Sequence, residues 1–145
     1  MIGLNYLGKM GQLGNQMFQY AALRGVANRR GLEYTVPNHD EVLEDGLGNK
    51  LRIELYDAFD INPKNQGLLP TNEYVQEAHF HFDKDLYNEC PDNCSIVGFF
   101  QTEKYFTNIR EQIIKDFKVK KEYRDDCKSI PVSYTHLTLP TTPYV

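Results

Sequence analysis

The chain has no apolar run close to the roughly 18 residues that a bilayer-spanning helix requires, and its first residues show no charged n-region or cleavage site of a secretory leader. The expected location is therefore the cytoplasm, at most peripheral at the inner membrane, with no integral membrane segment. Excess basic charge is missing too. With Lys+Arg at 16 against Asp+Glu at 20, the formal charge is -4, and no basic helix or aromatic-basic stripe appears, so nucleic acid is not expected as a partner. The cluster from Lys118 to Lys121 is followed by Glu122, Asp125 and Asp126 and reads as a solvated face. Cysteine is scarce: Cys90, Cys94 and Cys127 are an odd number and do not suggest a disulfide scaffold. A Cys/Cys/His/His zinc set drawn from Cys90, Cys94, His79 and His81 is chemically permitted. The histidines alternate with Phe80 and Phe82 as strand residues do, however, and ordinary reduced cysteines are the better reading.

Two familiar phosphate-binding signatures are also absent. A Walker loop needs Lys-Ser/Thr after its last glycine, and the dinucleotide fingerprint needs G-x-G-x-x-G. What stands in their place is Gly8, Gly11 and Gly14 at every third residue, followed by Asn15 and Gln16 and a helical pattern. A glycine loop feeding a helix start is where backbone N–H groups and the helix dipole stabilise anions. Neutral amides there can hydrogen-bond sugar hydroxyls or diphosphate oxygens. The blander reading makes Asn15 a helix N-cap and the glycines a turn. A content of 41% hydrophobic residues in 145 argues for one folded domain.

The elements read as α/β. A buried strand over Ile2–Leu7 leads into the glycine loop, a helix runs from about Asn15 to Arg30 and ends at Gly31, and Leu32–Pro37 is a second strand, parallel to the first. Residues 38–50 read as loop and 51–60 as a short helix or strand. Alternation over Tyr74–Phe82 predicts a strand near a sheet edge. Ser95–Phe100 reads as a central strand that delivers Gln101 and Glu103 to the same sheet edge as the glycine loop. Thr102 is placed to cap a short helix, and an amphipathic helix follows over Asn108–Phe117. The pair Asp83-Lys84-Asp85 offers carboxylates for a divalent ion, but a solvated turn is favoured, and no metal or cofactor is assigned.

The stretch Gly11-x-Leu13-Gly14-Asn15-Gln16-Met17-Phe18-Gln19-Tyr20-Ala21 resembles the N-terminal signature of the α-1,2-fucosyltransferases of glycosyltransferase family 11. Gly98-Phe99-Phe100-Gln101-Thr102-Glu103-Lys104-Tyr105-Phe106, followed by Ile109-Arg110, resembles that family's second block. The resemblance covers about residues 2–130, and Gln12 departs from the glycine many members carry. It implies a Rossmann-like N-terminal half of a GT-B-type glycosyltransferase, moving fucose from a GDP-fucose donor to a hydroxyl of a galactose-containing glycan acceptor. Gly11, Gly14, Asn15 and Gln16 are then expected at the nucleotide-sugar, with Gln101 beside them. Glu103 is the candidate for acceptor binding or base catalysis, weighed against a plain first-turn helix carboxylate. The alternative is a non-catalytic nucleotide- or carbohydrate-binding β-α-β module; an oxidoreductase is disfavoured because the dinucleotide fingerprint is missing.

Residues 131–145 hold no Asp, Glu, Lys or Arg in a chain that is 25% charged. From Pro131 to Thr141 they resemble a translated transposase adapter of sequencing libraries. The expected organisation is thus a domain over 1–130 and a non-native, adapter-like tail over 131–145. In the resembled family an arginine-bearing His-x-Arg-Arg-x-Asp motif that binds the donor follows the second block. Here the one Arg-Arg pair is Arg29-Arg30, so the fragment alone is expected to be inactive.

Overall fold

The computed structural model describes residues 1–121 except 42, 45, 46 and 49, with the backbone alone at 44 and 50. The expected boundary at Ile130, the tail over 131–145 and Cys127 lie outside the described residues. In chain order the elements are β1 (Ile2–Gly3), α1 (Leu13–Arg30), β2 (Tyr34–Thr35), β3 (Leu43–Glu44), β4 (Lys50–Leu51), α2 (Leu55–Ala58), β5 (Tyr74–Gln76), α3 (Lys84–Glu89) and β6 (Cys94–Val97). Two 3₁₀ turns, Glu103–Tyr105 and Thr107–Ile109, then lead into α4 (Arg110–Asp116). Four short strands make one parallel sheet in the order β2-β1-β6-β5, and β3 and β4 form a small antiparallel hairpin. The fold is α/β, as expected, with β5 at an edge and β6 inside.

Helix α1 organises the rest. Its 18 residues include three alanines, three arginines, two leucines and two glutamines, good helix formers, and Gly31 closes it in the left-handed conformation at φ 67. Leu32 N–H then reaches back to the Ala27 carbonyl at 2.9 Å, which satisfies a last-turn acceptor. One flank of the helix buries Tyr20, Leu23, Val26 and Ala27 in the same core as Ile2, Leu4, Ile96, Phe100 and Tyr105. Each fully buried side chain of that size contributes about 1.5 to 3 kcal/mol. Another flank carries Ala21 against Ile109 and Ile113, which docks α4. At Gly25 the approach is closer still: a Cβ there would lie 1.8 Å from the Tyr105 carbonyl oxygen. Only glycine lets the 3₁₀ segment lie on the helix backbone.

The other sheet face is covered by the loop before β5. Side chains alternate along a strand, so Gly3 points away from Ile2 and α1. Leu69 fills that side, its Cβ 2.9 Å from where a Gly3 Cβ would stand. Asn5 holds Leu69 in place through both ends of its amide, donating to the Leu69 carbonyl at 2.9 Å and accepting from its N–H at 2.8 Å.

Several expectations need correction. Helix α1 begins at Leu13, two residues before the expected start, and Asn15 is inside it; the N-cap is Gln12, which is extended and makes no side-chain cap bond. The strands over Ile2–Leu7 and Tyr74–Phe82 shrink to β1 and β5: just past β1 the Asn5 amide is bonded to Leu69, and just past β5 the Ala78 N–H is bonded to the Asp83 carboxylate. Residues 38–50, read as loop, contain β3 and one residue of the facing β4. Asp83 is no solvated turn. It is 8% exposed, and its carboxylate accepts from Leu86 N–H and Ala78 N–H, both at 3.0 Å, which caps α3. Among the described residues no helix is long and apolar enough to cross a membrane.

Candidate functional site

Because β1 and β6 are adjacent and parallel, the loops that follow them leave the same sheet edge, where open α/β sheets accommodate ligands. The loop after β1 turns at Gly11, φ 110, a conformation that side chains rarely adopt. A Cβ on Gly11 would also fall 2.1 Å from the Asn15 Nδ2. Asn15 therefore folds back over Gly11, and the loop and helix start form one surface. Because Gln12 provides no side-chain cap, the N–H groups of Leu13, Gly14 and Asn15 have no hydrogen-bond partner among the described residues. These are the donors that a helix start offers to an anion, and no acidic side chain lies in the first turn to compete.

The loop is fixed from below by two glutamines on one helix face. Gln16 and Gln19 are each 1% exposed. The Gln19 Nε2 donates to the Met10 carbonyl at 2.9 Å, and the Gln16 Nε2 to the carbonyls of Gly11 at 3.3 Å and Arg52 at 3.0 Å. Gln16 Oε1 accepts from the Glu54 N–H at 2.8 Å. The whole Gln16 amide is thus engaged by backbone. That geometry suits shaping the loop rather than touching a nucleotide-sugar, the role its sequence position suggested. Gln19 was not singled out in the sequence, although its spacing of three from Gln16 puts both amides on one face.

The second loop reaches the first through a strained turn. Phe100 is fully buried yet has φ 51, an outlier for a bulky side chain. Its ring stands edge-on to Tyr105 at 5.1 Å, and its N–H donates to Glu77 Oε1 at 3.2 Å. The next residue, Gln101, is exposed, and its Nε2 donates to Asn15 Oδ1 at 2.7 Å. Backbone strain held by packing costs about 1 to 3 kcal/mol and gathers at working surfaces. Here it aims Gln101 at the helix start.

Behind that turn is a polar network that the sequence did not disclose. Tyr105 O–H donates to Glu77 Oε2 at 2.6 Å and accepts from the Asp83 N–H at 2.8 Å. Burial, reinforced by the hydrogen bond to Glu77, raises the Tyr105 phenol above its ordinary range. Tyr105 is therefore a neutral core strut. For Asp83, burial works to raise the carboxyl, but the N–H donors of Leu86 and Ala78 outweigh it and hold the group below the usual carboxylate range.

The remaining residues sort as follows. Gly11 and Gly14 are exposed on the loop and first turn. Around Gly14 an added Cβ meets nothing within 4 Å, so packing gives no reason for a glycine there. Glu103 is exposed at the start of its 3₁₀ turn, which Thr102 Oγ1 caps as expected by accepting from Lys104 N–H at 3.4 Å. Among the described residues its carboxylate bonds to neither Asn15 nor Gln101, nor does it pair with Lys104. A cation that the sequence did not flag stands beside the loop: Arg52, 69% exposed, paired with Asp57 at 2.6 Å, which also meets His39 at 3.1 Å. The Arg29-Arg30 pair faces α3, with Arg29 bonded to Asn88 and Arg30 to the Cys90 carbonyl. His79 and His81 are not brought to Cys90 and Cys94, and among the described residues no three His, Cys, Asp or Glu groups are placed to hold a metal ion.

Together, orphan backbone donors and two neutral amides can offer hydrogen bonds to an anionic oxygen or to hydroxyl groups at one sheet edge. Comparison of the chain with protein-family models, with curated proteins and with solved structures returns no match.

Proposed function

We propose that this chain is part of an α-1,2-fucosyltransferase of glycosyltransferase family 11, the Rossmann-like N-terminal half of a GT-B-type enzyme. The reaction is transfer of fucose from GDP-fucose to a galactoside hydroxyl. The observation that carries the reading is the 2.7 Å bond between Asn15 and Gln101, which joins the two family-like blocks at one sheet edge although 86 residues separate them. Two motifs that meet in space while distant in sequence are hard to explain as two unrelated turns.

In this reading the N–H groups of Leu13, Gly14 and Asn15 receive an oxygen of the nucleotide-sugar, and the Asn15 and Gln101 amides receive sugar hydroxyls. Gln16 and Gln19 hold the loop in shape. The bond from the anomeric carbon to the diphosphate breaks, the acceptor oxygen bonds to that carbon, and GDP leaves with the electron pair. Glu103 binds the acceptor or takes its hydroxyl proton. Donors already aimed at the developing charge lower the barrier without reorganising. The family's arginine motif is not among these 145 residues, so the chain by itself is expected not to transfer fucose.

The test is to read the genomic DNA past the codon for Ile130, express the longer protein and assay fucose transfer from GDP-fucose to a galactoside. Transfer that falls in Asn15→Ala and Gln101→Ala, with kcat reduced, supports the proposal. Binding of GDP or of the galactoside without transfer would favour the non-catalytic nucleotide- or carbohydrate-binding module, and neither binding nor transfer would end both readings.

A further inference from the structure

We propose that Cys90 and Cys94 form a reversible dithiol–disulfide site that a small hydroperoxide oxidises. The site lies at the amino end of β6, away from the glycine loop, and its chemistry does not depend on fucose transfer. Both thiols are buried, at 1% and 0% exposure, and their sulfurs touch at 3.4 Å across the turn Pro91-Asp92-Asn93. The Pro91 carbonyl accepts from both, at 3.6 Å from Cys90 and 3.1 Å from Cys94. A disulfide needs an S–S distance of about 2.05 Å, so from 3.4 Å the sulfurs have about 1.3 Å to close.

The backbone around the pair is already anchored on both sides. Arg30 Nε donates to the Cys90 carbonyl at 3.0 Å. Cys94 sits in register with Ile2, and Asn93 N–H donates to the Met1 carbonyl at 2.9 Å. Closure therefore falls on side-chain rotation, with the helix end and the strand start held still.

Cys90 forms part of the wall of a cavity of about 310 Å³ whose lining also includes Asp83, Asp85 and Glu89. Asp85 and Glu89 are exposed on that wall, while the Arg30 guanidinium stands at the Cys90 carbonyl, so size rather than charge sorts the oxidants. Thiols this deeply buried exclude a bulky oxidant such as glutathione disulfide, whereas a small hydroperoxide fits the cavity. Cys90 loses its proton to solvent and attacks the peroxide O–O bond as the thiolate, taking one oxygen as a sulfenic acid, while the other oxygen picks up that proton and leaves as water or an alcohol. Cys94 then attacks the Cys90 sulfur, and the displaced hydroxyl leaves as water with the Cys94 proton. Two thiols lose two electrons in all and the peroxide gains them. A thiol reductant restores the pair by exchange.

The experiment treats the reduced 145-residue chain with hydrogen peroxide or with an equal concentration of glutathione disulfide. The reaction is quenched with an alkylating reagent and the peptides are mapped by mass spectrometry. A Cys90–Cys94 link is expected with peroxide, forming at least about tenfold faster than with glutathione disulfide, reversed by dithiothreitol and not involving Cys127. In Cys94→Ser, dimedone should trap a sulfenic acid at Cys90. Thiols that stay alkylatable, a link to Cys127, oxidation past the sulfenic stage without a link, or equal rates with the two oxidants would each overturn the proposal.

Discussion

Replacing Gly14 by alanine separates what the fold needs at the helix start from what a ligand needs there. Gly14 is the second residue of α1, with a helical backbone and an open surround: nothing lies within 4 Å of an added Cβ. In a helix, glycine is destabilising relative to alanine by roughly 0.5 to 1 kcal/mol, and the unfolded chain loses entropy on substitution. Gly14→Ala should therefore stabilise the protein by about 0.5 to 1 kcal/mol, raising the thermal midpoint by roughly 2 to 4 °C for a domain of this size. Gly11→Ala should do the reverse, because φ 110 and the Asn15 side chain both oppose a Cβ. If the N–H groups of Leu13, Gly14 and Asn15 receive an oxygen of the donor, the same methyl group occupies its approach. On the proposed function, fucose transfer by the longer protein should then fall at least about tenfold, equivalent to about 1.4 kcal/mol. Thermal and urea unfolding of the chain, beside fucosyl transfer by the longer protein, read the two effects separately. A less stable Gly14→Ala protein would refute the packing argument. A more stable one with undiminished transfer would remove the helix start from the site.

Three further outcomes follow from the geometry. Asn15→Ala, Gln101→Ala and the double variant should show a coupling of about 0.5 to 1 kcal/mol in urea unfolding; strictly additive losses would mean the 2.7 Å bond does not hold the two loops together. Gly25→Ala must push the Tyr105 carbonyl off α1 and should cost about 1 to 3 kcal/mol or more, with amide shifts of Phe100 and Gln101 in NMR spectra; a neutral variant would refute the close helix contact. Asp83 has a folded-state pKa below its unfolded value, so its stabilisation is complete above about pH 4 to 5 and is lost as pH falls through the folded value. Asp83→Asn should therefore flatten the acid limb of the stability curve relative to the unsubstituted chain, and an unchanged limb would show that Asp83 is not the group responsible.

The β-α-β start, the glycine that ends α1, the edge position of β5 and the Thr102 cap were legible because each rests on local chemistry: apolar runs, a left-handed cap, alternation, a hydroxyl before a helical turn. The start of α1 was not, because Gln12 takes the cap position with an extended backbone and no capping side chain, leaving no residue-type signal. Gln16 and Gln19 were ambiguous for a different reason. An amide offers a donor and an acceptor to ligand and backbone alike, and their partners include Arg52 and Glu54, which only the fold brings near. Asp83 was misread because its acidic neighbour Asp85 and Lys84 suggested a wet turn, whereas the N–H groups that claim its carboxylate come from Ala78 and Leu86 on either side. The juxtaposition of Asn15 and Gln101 was expected only as a shared sheet edge, since parallel strands fix the edge but not which side chains meet.

The left-handed turn at Phe100 has a consequence for how the sheet edge recognises anything. Its ring is locked in the core and its N–H is tied to Glu77, so relaxing the turn would mean withdrawing an aromatic side chain from the interior. The position from which Gln101 reaches Asn15 is therefore set by the core. If the proposed site takes a ligand at this edge, the Phe100 turn is one part of the host that needs no ordering on its entry.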